Sequence, residues 1–525
     1  MPDDGRVDVM RVLTASDRAV LVEAADLAEA MRLNQVWEHV PGVIERVPGA
    51  RTVLVRFDPL RTSADELAAR LEATRGQDGP TAPVRDVVVP VHYDGDDLAA
   101  VAEQLGVSTE QLIARHLAAD WRVAFSGFAP GFGYAVGDDP LFDVARRGSP
   151  RTRVPAGSVG LAGPFTGVYP RRTPGGWQLI GRTEAVMWDI DRDPPALLSP
   201  GTRVRFERAT RARLSAAVQD AGRRVAPAVD PLRATTLLEV VHTVLPLLVQ
   251  DAGRAGHAAL GVSPSGAADR TAMRDANRVV GNAPTTAVLE CVGSATLRFR
   301  GSGVAAVTGA TGELELTTGS GDMRPIRHGA PFATADGDEL RIGHPERGIR
   351  FVIGVRGGVA AASALGSRAS DTLAGLGPAP LGEGDAVAIG REAVAAVDDL
   401  VVPRTLPASG EVVELEITLG PRDDWFTRTA LRVLTEQEWL VTPRSDRVGL
   451  RLQGERALER AMAGELPSEG AVTGALQVPP DGQPVLFLPD HPLTGGYPIV
   501  GALTDRCLDL AGQLPPGARI RFRIA

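Results

Sequence analysis

The chain has 525 residues, 44% hydrophobic and 23% charged, which is enough for three or four folded units and too balanced for a disordered or fibrous protein. Its net charge of −9 and pI near 5.5 offer no overall field to nucleic acid or anionic lipid, and no apolar run approaches the ~20 residues that span a bilayer. The two cysteines, Cys291 and Cys507, exclude a disulfide framework and a structural zinc site and read as buried small apolar residues.

All 56 basic residues are arginine. A chain without lysine has no P-loop lysine, no Schiff-base amine, no point for biotin attachment and no base for a serine–lysine amidase. Gly (59) and Pro (40) favour short strands and tight turns over long helices, so a mainly β protein is expected. The start, Met1-Pro-Asp-Asp-Gly-Arg6, lacks the basic and apolar regions of a signal peptide, and the cytoplasm is the expected location.

Residues 1–80 read as a small α+β unit of order β-α-β-α: a strand at 18–23, a helix over 26–40, a strand at 51–57 and a helix opened by the capping Ser63. The stretch 75–83 reads as a linker. A second module over 81–207 begins with a strand at 87–91, followed by short helices at 96–105 and 108–116 joined by Gly106-Val107. That pattern imitates a helix-turn-helix, but its second helix carries one arginine before His116, so a packed helical hairpin is the expected arrangement. Residues 123–125 return as a strand, and 151–206 is dense in Gly, Pro and short β runs. The Ala/Arg-rich stretch 208–233 reads as a linker. Residues 234–525 are expected to hold two β-rich subdomains, with strand signals at 237–249, 305–308, 349–355 and 412–419.

Two blocks repeat in the same order. Pro174-Gly-Gly-Trp-Gln-Leu-Ile-Gly181 echoes Thr494-Gly-Gly-Tyr-Pro-Ile-Val-Gly501, and Val154-Pro-Ala-Gly-Ser-Val159 echoes Leu466-Pro-Ser-Glu-Gly-Ala-Val472. Duplicated β-barrels are the expected cause.

Three stretches combine chemistry with bendable backbone. Ser126-Gly-Phe-Ala-Pro-Gly-Phe-Gly-Tyr134 puts Phe128 and Phe132 on a glycine-rich loop suited to line a pocket or to seal a barrel corner, with His116 upstream as an acid–base candidate or a satisfied core histidine. Between Asp251 and Asp269, Arg254, His257, Ser263 and Ser265 lie among glycines, where a guanidinium fork suits a carboxylate or phosphate; surface decoration is the alternative. The third stretch carries Arg447, Gln477 and the Asp490-His491 pair, the last a candidate general base or an ordinary turn. No stretch has metal-ligand spacing, so no intrinsic metal is expected.

The motifs Phe125-Ser-Gly-Phe-Ala-Pro-Gly-Phe-Gly-Tyr134, Pro150-Arg-Thr-Arg-Val-Pro-Ala-Gly-Ser-Val-Gly160 and Pro174-Gly-Gly-Trp-Gln-Leu-Ile-Gly-Arg-Thr183 resemble the B-subunit family of 5-oxoprolinase, also called allophanate hydrolase subunit 1 or KipI-like. Asp251-Ala-Gly-Arg254, Gly261-Val-Ser-Pro-Ser-Gly-Ala-Ala-Asp269, Ala276-Asn-Arg-Val-Val-Gly-Asn282, Ser445-Asp-Arg-Val-Gly-Leu-Arg451 and Asp490-His-Pro-Leu-Thr-Gly-Gly-Tyr-Pro498 resemble its C-subunit, or KipA-like, family. The resemblance covers nearly the whole chain as a fusion of the two. It implies duplicated cyclophilin-like β-barrel domains and ATP-dependent opening of 5-oxo-L-proline to L-glutamate with a separate A-subunit, with Mg as the nucleotide's counter-ion and no covalent cofactor. On residue type, the expected proton-moving and catalytic groups are His116, His257, Asp269, Asp490 and His491. The expected substrate contacts are Phe128, Phe132, Arg182, Asp251, Arg254, Ser265, Arg447 and Gln477, with Arg254 or Arg447 as the carboxylate clamp. Two alternatives stand beside this: the carboxyltransferase part of a urea or amide carboxylase, served by a separate biotin carrier, and a histidine-kinase regulatory module. The partner classes expected are an A-subunit-like 5-oxoprolinase protein and a small molecule, without nucleic acid or membrane; self-association is left open.

Overall fold

The computed structural model describes residues 10–77, 84–149, 151–209, 236–399, 401–402 and 404–525, so most of the stretch read as a linker at 208–233, and residues 78–83 of the one at 75–83, lie outside the described residues. Among the described residues no helix exceeds the eleven residues of Ala64–Thr74, and strands dominate, as the glycine and proline content implies.

The first unit is a four-stranded antiparallel sheet in the order Val12–Ser16, Ala19–Glu23, Thr52–Phe57, Val43–Pro48. The first and last of these strands go beyond the expected β-α-β-α reading. Both are edge strands of mixed polarity, so neither shows a clean period of two. Helices Leu27–Val36 and Ala64–Thr74 begin at the capping side chains of Asp26 and Ser63, the latter in a reciprocal capping box with Glu66. They cover one face of the sheet, where Val20, Val22, Val53 and Val55 meet Leu33, Leu67 and Trp37. The other face carries Ala19, Leu21, Val47 and Leu54, and packs on Ala475, Phe487 and Ile499 from the far end of the chain. Burial on both faces explains why 19–22 is apolar without alternation.

The second module is a seven-stranded sheet in the order Gln178–Arg182, Ser158–Ala162, Phe165–Val168, Gly133–Val136, Trp121–Ser126, Arg203–Arg208, Asp86–Val91. Its ends meet through reciprocal His92–Arg182 backbone bonds of 2.8 Å, which close it into a barrel. Helices Leu98–Gln104 and Thr109–Ala118 pack Val101 and Leu112 onto its core beside Trp121, Phe142 and Phe206. This buried seat makes the hairpin a packed part of the barrel.

Residues 236–399 form a ten-stranded sheet built around the long strands Gly303–Thr317 and Glu339–Val355. The expected run 237–249 is two strands, Leu237–Thr243 and Leu248–Gln250, separated by a turn that exposes Val244 and Leu245. Helix Arg270–Val279 lays Ala272, Met273 and Ala276 on Val288 and Val352.

The last module is a closed barrel of Val412–Leu419, Ile499–Leu503, Ala475–Gln477, Val485–Phe487, Gly449–Gln453, Trp439–Val441 and Arg519–Ile524. It repeats the second module in detail. In each barrel the first and last strands pair in parallel, Asp86–Val91 with Arg203–Arg208 and Val412–Leu419 with Arg519–Ile524. In each, a buried tryptophan ends the helix-to-strand turn by donating its indole N–H to the carbonyl five residues back: Trp121 to His116 and Trp439 to Leu434, both at 2.9 Å. Each barrel also projects a two-stranded ribbon, Arg151–Val154 with Thr173–Gly175 and Glu469–Gly470 with Thr494–Gly495. The ribbons hold the blocks that repeat in the sequence.

Candidate functional site

The two ribbons face each other across a cleft of about 380 Å³ between the barrels. One wall is Phe128, Phe132, Tyr134, Tyr169 and Trp177, whose rings meet edge to face at 5.1–6.2 Å. The other is Gln477, Pro492, Thr494, Gly495, Gly496 and Tyr497. Gly495 lets the Gln477 amide lie close to the backbone there, since a Cβ would displace that side chain. Thr494 and Ser468 hydrogen-bond to Tyr134, whose burial keeps its phenol protonated above the usual range.

Three arginines and one carboxylate, Glu465, line this cleft. Arg146 donates to the Ser468 hydroxyl at 3.2 Å, Arg147 to Asp97 at 2.7 Å, and Arg460 to the Val478 carbonyl at 2.8 Å, with its guanidinium 6.0 Å from the Tyr497 ring centroid. Among the described residues, the Nε atoms of Arg147 and Arg460 are buried without a hydrogen-bond partner. A cationic lining beside aromatic faces is suited to a small anion carrying an apolar ring.

The expected residues divide among several places. Phe128, Phe132 and Gln477 line the cleft. Ser265 and His491 line a separate cavity of about 220 Å³ between the first sheet, the 252–270 loop and the last barrel. Asp251, Arg254, Arg447 and Asp490 are buried in a network joining the third module to the last barrel. Arg447 donates to Asp490 at 3.1 Å, Glu290 at 2.5 Å and the Gly266 carbonyl at 2.6 Å; Asp490 also accepts from Ser265 at 2.7 Å and from the Thr372 hydroxyl at 2.7 Å. Arg254 donates to the Ala364 and Ala369 carbonyls, and Asp251 accepts from Ser367 at 2.6 Å and from the Arg368 amide at 2.6 Å. Burial and the nearby Asp490 push Asp371, in the same network, up to about 6. The two guanidinium groups expected as the carboxylate clamp, Arg254 and Arg447, are thus buried within this network and line neither cavity.

Four further expected residues line neither cavity. His116 is enclosed by Trp121, Phe142 and Phe206, with its ring nitrogens on Tyr93 (2.8 Å) and Thr166 (3.0 Å), and burial lowers it to about 3. Asp269 caps helix Arg270–Val279 through the Ala272 amide at 2.8 Å and takes Arg404 and Gln513 on its carboxylate. Arg182 sits on the barrel seam, paired with Asp94 at 2.9 Å. His257 lies at the start of the short turn Ala258–Leu260 and lines neither cavity.

Ser468, Trp177 and Tyr497 lie in or beside the repeated blocks, so the internal echo was the signal that could have found them. Arg146, Arg147 and Arg460 carried none, because every basic residue of this chain is arginine.

Two family models match the chain: "Carboxyltransferase domain, subdomain C and D" over residues 10–198 and "Carboxyltransferase domain, subdomain A and B" over residues 260–524. The chain is 40% identical over 189 residues to the B-subunit of 5-oxoprolinase from Escherichia coli O157:H7, covering 35% of this chain and 87% of that one. It is 31% identical over 290 residues to the C-subunit of 5-oxoprolinase from Escherichia coli K12, covering 54% and 90%. The crystal structure of TTHA0988 superposes with a TM-score of 0.81 at 32% identity, covering 96% of this chain and 100% of that one.

Proposed function

The chain belongs to the carboxyltransferase-domain family, with its C/D part ahead of its A/B part, and from that premise we propose that it is the fused B and C component of an ATP-dependent 5-oxoprolinase. In this reading a separate protein, the A component, completes the enzyme, and 5-oxo-L-proline is opened to L-glutamate. The observation that carries the reading is the inter-barrel cleft, which draws its two walls from the B-like and the C-like halves. Fusion keeps those walls together.

The chemistry assigned to the cleft follows from the substrate. 5-Oxo-L-proline at neutral pH is a carboxylate on an apolar five-membered lactam, and the cleft lies at the small end of the ~300–1,000 Å³ usual for small-molecule sites. Arg460 and Arg146 take the carboxylate, and Trp177 and Tyr497 flank the ring. A lactam carbonyl is a poor electrophile, so its oxygen takes the γ-phosphoryl group of ATP and ADP departs. Water then adds to the carbon, the C–N bond breaks as the nitrogen takes a proton, and inorganic phosphate leaves behind the second carboxylate of glutamate. The Tyr134 phenol, kept protonated by burial, serves as a donor to that oxygen. With no lysine for a P-loop and no room for a nucleotide beside the lactam, ATP with its Mg is assigned to the junction with the A component.

The family description supports a second reading, carboxyl transfer to a urea-like amide; a chain without lysine takes biotin only from a separate carrier. One assay separates the two. The purified chain is mixed with an A-component partner, 5-oxoproline and ATP, and ADP and glutamate are followed. Their joint appearance, dependent on both proteins, is the expected result. No glutamate with a verified partner overturns it, and biotin-dependent carboxylation of urea establishes the second reading.

A further inference from the structure

The segment that closes the cleft also closes the second cavity. Along it Pro492 and Thr494 line the cleft, while His491 and Leu493 line the cavity of about 220 Å³ on the other side, so successive side chains of one short segment form the partition between the two spaces. His491 is 1% exposed and stacked on Phe487. Its Nδ1 lies 2.9 Å from the Pro492 carbonyl, which only accepts, so Nδ1 holds the proton and Nε2 keeps its lone pair. No hydrogen-bond partner stands against Nε2 among the described residues.

Around this acceptor the wall is small and apolar, with Ala19, Ala252, Ala255, Ala267, Ala268 and Ala471. The charged lining is balanced: Arg18, Arg56 and Arg270 against Asp17, Glu45 and Asp505. Arg56 pairs with Glu45 at 2.6 Å, and Arg18 and Arg270 each reach Asp505 at 2.9 Å. An ion of one sign entering this space would leave a charge uncompensated; a molecule with both signs would exchange into the pairs without that cost. An ammonium N–H also satisfies the orphan imidazole nitrogen.

We propose that this cavity is a binding site for a small α-amino acid with no net charge, its ammonium facing His491 Nε2 and the carboxylates of Glu45 and Asp505, and its carboxylate facing Arg56 or Arg18. The site is distinct from the inter-barrel cleft and shares one wall with it.

Titration calorimetry on the full chain tests this with L-alanine and L-serine as probes and with acetate, methylammonium and L-glutamate as controls. Expected is one saturable site per chain for the two neutral amino acids, with none for acetate or methylammonium and weaker binding of glutamate. His491→Phe, which keeps the stack on Phe487, should weaken L-alanine by about tenfold or more. Ala255→Phe places bulk at an exposed position of the lining and should abolish binding, while its unliganded melting temperature matches that of the unaltered chain. Arg460→Met, in the cleft, should leave L-alanine binding unchanged. Absence of saturable heat at tens of millimolar amino acid, equal binding of a singly charged control, full binding by Ala255→Phe, or loss of binding in Arg460→Met would each overturn the proposal.

Discussion

The Phe128 amide donates to the Thr494 hydroxyl at 3.1 Å, joining the two barrels across 366 positions of sequence at the floor of the cleft. The neighbouring Gly127 leaves no room for a side chain, because a Cβ there would overlap Oγ1 of the same threonine and press on its Cγ2 at 2.8 Å. Gly127→Ala is therefore expected to push the barrels apart, lowering both melting temperature and turnover. Thr494→Ala removes the two atoms in the way, so the double variant should be less impaired than the sum of the singles. A double-mutant cycle read by thermal melting and by glutamate formation checks this; strict additivity would show that the two residues do not press on each other.

Arg460→Met is expected to raise the KM for 5-oxoproline about 10- to 100-fold, the worth of a hydrogen-bonded charge, with kcat changed far less. Arg182→Gln serves as the comparison, because Arg182 lies on the exposed barrel seam paired with Asp94. It should leave KM within about twofold. Steady-state kinetics with the partner protein decides the matter, and an unaltered KM in Arg460→Met removes that residue from the clamp.

Arg447→Met leaves Asp490 buried without its cation and Glu290 with Arg350 alone. A loss of about 3–5 kcal/mol in stability is expected, measured by urea denaturation. Protein that remains folded should keep its KM. A KM defect with unchanged stability would instead make Arg447 a substrate contact.

His116 is fully buried and neutral, lowered to about 3 against an unfolded value of ~6.5. Between those values the unfolded chain binds a proton that the native chain refuses, so this group's stabilisation is complete above about pH 6.5 and is lost as pH falls toward 3. His491, lowered to about 4, acts in the same direction; Asp371, raised to about 6, acts oppositely below that pH. Replacing His116 with Phe, which suits the surrounding aromatic rings, should flatten the fall in stability from pH 6.5 to 5 by about 2 kcal/mol. Urea midpoints at the two pH values measure it, and equal slopes for both proteins would contradict it.

The β character of the chain, the capping at Ser63, the helical hairpin and the duplication are legible in the sequence, because each rests on local pattern: turn residues, a capping box, a repeated block. The edge strands Val12–Ser16 and Val43–Pro48 are not, since pairing at a sheet edge leaves little alternation to read. Phe128, Phe132 and Gln477 lie at the cleft because an aromatic glycine-rich loop and the motif around Asp490 flank it from either side. Arg254, Arg447 and Asp490 mislead for a physical reason. Charged residues on a glycine-rich stretch look alike in sequence whether they meet solvent, a ligand or one another, and here they meet one another in the interior. Arg460 and Arg146 become visible only when two distant segments are brought to one cleft.

The most direct measurement is where 5-oxo-L-proline binds, read from a crystal structure of this chain with its partner protein and the lactam. The ligand is expected between Trp177 and Tyr497, with its carboxylate on Arg460 and Arg146. Density for it in the cavity beside His491, or wholly within the partner protein, would contradict the assignment of the inter-barrel cleft as the site.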